Sequence, residues 1–118
     1  MTQSEVLAPE AFRANFFEEG YVILRGFVPE GTLLSMEAHI LGLCDQLDAG
    51  HSLGVAMPVF EKSLADKMRA RDKLSKLFRL HREQPVFNQF CCADVLKPYL
   101  EALLGKDYDC FLSQFIFK

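Results

Sequence analysis

FLSQFIFK, residues 111–118, decides how the whole chain is read. Aromatic and β-branched side chains make it a strand, which the sequence begins at about residue 108. Alternation puts Phe111, Ser113, Phe115 and Phe117 on one face and Leu112, Gln114, Ile116 and Lys118 on the other. The first face can pack under helices. The second mixes apolar residues with an amide and a cation. Such a strand needs partners, because an isolated pair is marginal in water and three or more strands are normally required.

Upstream, the sequence offers one further strand. YVILRGF, residues 21–27, lies between Gly20 and Pro29 and is apolar enough to be covered on both faces. The rest reads as helix and loop. Pro9 suits a first helical turn and Gly20 the position after its last, with Phe12, Phe16 and Phe17 as the stripe between them. A second helix over 29–47 carries Leu33, Met36, Ile40, Cys44 and Leu47, and Gly50 closes it. Gly50, Gly54 and Pro58 make 50–60 a loop. A third helix is expected over 62–81, with Ala70, Leu74, Leu77, Phe78 and His81 on one face and Arg69, Asp72, Lys73, Lys76 and Arg79 opposite. Pro85 interrupts it, a short helix covers 86–92, and a last helix, started or kinked by Pro98, ends at Leu104 with Gly105 as its stop. Two strands so far apart in sequence make a poor sheet. Either they pair under the helices, or the chain is the front part of a larger β structure.

At 118 residues the chain is one domain or part of one. Half of it is hydrophobic and a quarter charged, which excludes disorder, and eleven Phe without any Trp predict an aromatic-rich core. A net charge of −3 gives no electrostatic case for nucleic acid as a partner. No apolar run reaches the ~20 residues of a membrane span, so no membrane partner is expected. The polar start MTQSEVLAPE is no signal peptide, and the expected location is cytoplasmic. There the cysteines Cys44, Cys91, Cys92 and Cys110 are expected reduced and mostly buried, since their spacing fits no zinc pattern.

The order of these signals carries a resemblance. A Phe-rich helix precedes GYVILRGFVP; a long helix follows; then come LHREQPVF at residues 80–87, LEALLGKDYD at 100–109 and the strand FLSQFIFK. From about Phe12 to Lys118 this ordered set resembles the N-terminal half of the phytanoyl-CoA dioxygenase family, the iron(II)- and 2-oxoglutarate-dependent oxygenases of that type. The resemblance implies an α+β chain. Its N-terminal helices would flank the first strands of a double-stranded β-helix, a jelly-roll, cupin-like barrel left incomplete here. In that family a His-x-Asp pair and a distant His hold the iron, and both follow the strand that 111–118 resembles. The complete enzyme would use Fe(II) and 2-oxoglutarate to hydroxylate a small-molecule or acyl substrate. The chain as given has no such triad and is expected to bind neither cofactor and to be inactive alone. The alternative is a non-catalytic helical interaction module of the same ancestry.

One residue is carried over as lining the 2-oxoglutarate pocket, Lys118, where the family commonly has a lysine before its prolines; Gln114, on the same strand face, is a second candidate for a pocket residue. His81 and Glu83 fit His-x-Glu, but the other histidines, His39 and His51, lie upstream and His81 continues a helical stripe, so all three read as structural. Residues 62–82 hold eight of the thirteen Lys and Arg against two Asp, a solvated helix face or, as a hypothesis, a site for a phosphate-bearing substrate tail at Lys73 and Lys76. The strand from Phe111 to Phe117, if uncovered, is expected to drive self-association.

Overall fold

A computed structural model describes residues 7–61 and 69–117. The first helix, α1 (Pro9–Glu19), begins on its proline and ends where Gly20 turns left-handed at φ 84°, its N–H bonded to the Phe16 carbonyl at 2.7 Å. The second, α2 (Glu30–Asp48), buries Ile40, Leu43 and Cys44. Leu33, expected on the same stripe, is exposed, because the buried face covers only the second half of the helix.

Strand β1 (Met57–Phe60) comes next, where the sequence predicted loop. The predicted third helix is also corrected. Residues 62–68 lie outside the described residues, and the remainder divides into α3 (Ala70–Lys73), strand β2 (Leu74–Phe78) and α4 (Leu80–Glu83). The helices α5 (Pro85–Cys91) and α6 (Lys97–Leu104) follow as expected, with Pro98 inside the first turn of α6 and Gly105 ending it at φ 83°. The last strand, β3 (Gln114–Ile116), is much shorter than the predicted 108–118. The other predicted strand is absent: residues 21–27 alternate between exposed and partly buried, yet pair with no strand among the described residues.

The three strands form an antiparallel sheet in the order β1-β2-β3. Pro58, Leu77 and Phe115 are register partners and share the inner face. The register of β1 on β2 shifts by one, from Val59 opposite Lys76 to Phe60 opposite Leu74, so Ser75 is an extra residue on β2. This bulge returns Leu74 to the inner side, and both Leu74 and Leu77 are buried. An i, i+3 pair can share one face of a strand only across such an irregularity.

The core joins Ile40, Leu43 and Cys44 of α2 to Leu53, Ala56, Ala70, Leu74, Leu77, Leu80 and Phe87. Phe115 and Phe117 pack against its edge, with Phe115 edge-on to Phe87 at 6.5 Å and to Phe117 at 5.2 Å between ring centroids. A satellite cluster ties α1 to α6: Tyr99 meets Phe12 and Phe27 edge-on at 5.1 and 5.2 Å, and its hydroxyl donates to the Leu7 carbonyl at 2.7 Å. Polar links close the joints. Asp48, the last residue of α2, accepts from the Ala70 N–H at 2.8 Å and so caps α3. Glu83 accepts from the Val55 N–H at 3.1 Å, holding the turn at Gly54, whose φ is +70°.

Leu77 is fully buried at the middle of the central strand. Leu77→Ala should cost about 2–5 kcal/mol in chemical denaturation, since the sheet and α2 flank the cavity and limit collapse. Gly54→Ala should cost about 1–2 kcal/mol, because a side chain there is strained at positive φ and its Cβ would meet the Glu83 carboxylate. A Gly54→Ala variant as stable as the wild type would show that this turn is not held as described.

Candidate functional site

The outer sheet face is the first place to look for the expected pocket. Met57, Phe78 and Gln114 are register partners there, as are Val59, Lys76 and Ile116. Met57, Gln114 and Ile116 are exposed, and Val59, Lys76 and Phe78 partly so. The face is therefore apolar with one amide and one cation. The Lys76 ammonium lies 6.0 Å from the centroid of the Phe78 ring. Gln114 stands on this face as expected, but exposed and not in an enclosed pocket. Lys118 lies outside the described residues. Lys73 and Lys76 do not share a helix face: Lys73 ends α3 with its ammonium 5.2 Å from the Phe60 ring centroid, while Lys76 is on β2. Among the described residues, Lys73 and Lys76 are therefore not placed together on one basic helix.

The histidines are used separately. His39 shares a 2.6 Å hydrogen bond between its Nε2 and Gln84 Oε1, and its ring meets Phe87 edge-on. His51 is exposed. His81, on α4, places its Nδ1 against the Ser113 hydroxyl and donates its backbone N–H to the same oxygen at 3.3 Å. This ties α4 to the approach of β3. Among the described residues no three His, Cys, Asp or Glu side chains converge as metal ligands. The described residues thus do not by themselves fit an iron site of the resembled family.

One cleft was missed by sequence reasoning. It has a volume of about 580 Å³ and lies between α5, α6 and residues 106–110. Cys91, Cys92 and Cys110 line it, with His81, Lys97, Glu101, Lys106, Tyr108 and Asp109. All four cysteines of the chain are free thiols, and Cys44 is fully buried in the core. The expectation of mostly buried cysteines is corrected: Cys91 is partly buried, and Cys92 and Cys110 are exposed. Burial pushes the Cys91 thiol up to about 11, aided by the neighbouring charge and hydrogen bond of Cys110 and by Cys92. Burial also raises Cys44, against a smaller opposing pull from Arg71. No adjacent pair or CxxC spacing marks Cys91 and Cys110 as neighbours; only the fold brings them together.

No helix among the described residues is long and apolar enough to cross a membrane. In comparison with known proteins, the chain matches no family model, no curated relative and no solved structure.

The thiols should separate under alkylation by iodoacetamide, read by peptide mass mapping. The exposed Cys92 and Cys110 should react first, Cys91 more slowly, and Cys44 only on unfolding. Because the raised value keeps Cys91 protonated, its rate should still be climbing as pH approaches about 11. A Cys91 rate that levels off near neutral pH would contradict the burial described.

Proposed function

We propose that this chain is the N-terminal segment of an iron(II)- and 2-oxoglutarate-dependent oxygenase of the phytanoyl-CoA dioxygenase type. In this reading it supplies the helical shell and the first strands of a jelly-roll barrel. The metal and 2-oxoglutarate would be held by strands that add to this sheet. The observation that carries the reading is the sheet itself. Helices cover its inner face, while the outer face presents Met57, Ile116 and Gln114 to solvent and both edge strands are free among the described residues. A barrel wall has this arrangement, with packed side chains outside toward helices and a mixed apolar and polar surface toward the lumen. The ordered sequence signals from Phe12 to Lys118 support the same reading. Gln114, and Lys118 beyond it, would then face the lumen. The substrate would be a small or acyl molecule and the location cytoplasmic.

One observation favours the second reading, a non-catalytic helical interaction module. Ile40, Leu43, Cys44, Leu74, Leu77 and Leu80 are already sealed in a common core without further strands. In that case the exposed Phe111, Leu112 and Ile116 form the contact surface, for self-association or for a partner.

The reading frame that contains this sequence separates the two. The oxygenase reading expects codons for a His-x-Asp pair soon after Lys118. It also expects the complete product to release succinate from 2-oxoglutarate with Fe(II), while the 118-residue chain alone releases none. A frame without that pair, or a complete product that binds no 2-oxoglutarate in calorimetry, sinks it. The module reading expects instead that the 118-residue chain sediments as a defined dimer, which Ile116→Lys would break.

A further inference from the structure

The segment leading into β3 is held at its two ends and bare between them. Gly105 donates to the Glu101 carbonyl at 2.9 Å, and the Ser113 carbonyl accepts from the Arg79 N–H at 3.0 Å. Residues 106–112 make no backbone hydrogen bond to other described residues. Phe111 is 97% exposed on this segment, and Leu112 is exposed beside it. Cys110 sits at its middle, its thiol pointing to the Leu112 carbonyl at 3.6 Å. Across the cleft is Cys91, the last residue of α5, which lines the same space as Cys110.

We propose that Cys91 and Cys110 are an oxidisable dithiol, a site where a peroxide reversibly converts two thiols into an intramolecular disulfide that pins the approach of β3 to α5. The two side chains come from different elements and line one open cleft as free thiols. Cys92 is the sequence neighbour of Cys91, and vicinal cysteines pair poorly because their Cα atoms are only about 3.8 Å apart.

The roles follow from exposure. Cys110 is open to solvent and meets the oxidant first. Its thiolate attacks one peroxide oxygen and breaks the O–O bond, leaving Cys110 as a sulfenic acid and releasing hydroxide, which takes up a proton as water. Cys91 then gives up its proton and attacks the Cys110 sulfur, forming the S–S bond and expelling the second oxygen as water. Two thiols and one hydrogen peroxide become one disulfide and two waters; the sulfurs are oxidised and the peroxide reduced. The high protonation of Cys91 slows this second step at neutral pH. A small thiol reverses the bond by exchange.

The test treats the intact chain with hydrogen peroxide and reads it by tandem mass spectrometry under non-reducing conditions. The expected result is a loss of about 2 Da, with a bridge mapped to Cys91 and Cys110. It should form at a rate independent of protein concentration and be reversed by dithiothreitol. Cys92→Ser should keep the bridge, whereas Cys91→Ser and Cys110→Ser should abolish it. Limited proteolysis within 106–112 should slow several-fold once the bridge is made. A bridge mapped to Cys92 and Cys110, only intermolecular dimers, or over-oxidation of Cys110 while Cys91 stays a thiol would each overturn the proposal. Mapping is done on the wild-type chain, so a variant that fails to fold does not decide the outcome.

Discussion

The fold depends on the burial of Leu77. It sits on β2, which among the described residues has a strand on each side, and its side chain is removed from water in the core it shares with α2. The elements of the main core are placed with respect to that contact, while α1 and α6 pack on each other in the satellite cluster. Pro58 and Phe115 flank Leu77 in register, Ile40, Leu43 and Cys44 close over the same core, and Leu80 and Phe87 bring α4 and α5 against it. Residues far apart in sequence meet here, so the loop-closure entropy of forming the sheet must be met by this one apolar cluster. The bulge at Ser75 adds Leu74 to it and so widens the apolar surface a five-residue strand can present.

That bulge explains where the sequence was legible and where it was not. Ala70, Leu74 and Leu77 are spaced four and three apart, the signature of a helix face, and all three are buried as that pattern requires. Phe78 and His81, expected on the same face, are only partly buried, and Phe78 turns to the outer side of the sheet. The spacing thus locates three buried positions but not the backbone, because an inserted residue gives a strand the same spacing. Residues 21–27 show the converse. Their strand propensity is high, but a strand exists only where backbone groups find a ladder, and none is present among the described residues. The helix boundaries were read well. Pro9, Gly20, Pro98 and Gly105 act through local backbone geometry, with no long-range partner needed to express it.

The same divide runs through the site. The face assignment of Phe115, Phe117 and Gln114 follows from alternation alone, and the exposures agree: the two Phe are partly buried and Gln114 is exposed. Phe111 departs from it, since the alternation has meaning only while the strand lasts and β3 spans three residues. The meeting of Cys91 with Cys110, and of His81 with Ser113, had no local signature. Each joins α4 or α5 to the approach of β3, a relation created by packing the final segment beside β2.

These contacts converge on one joint. β3 is bonded to β2 on one side only, and backbone bonds from Arg79 to Ser113 and from Phe117 to Ser75 bracket its short ladder. Its attachment to the core rests on two half-buried phenylalanines. A strand held so lightly is stable only where something adds to its free edge or ties down its approach. Further strands pairing with β3 would do the first, and a covalent link at Cys110 would do the second. Both proposals would thus act on the same weak element, and whichever secured β3 would also determine whether Phe111, Leu112 and Ile116 are left facing water.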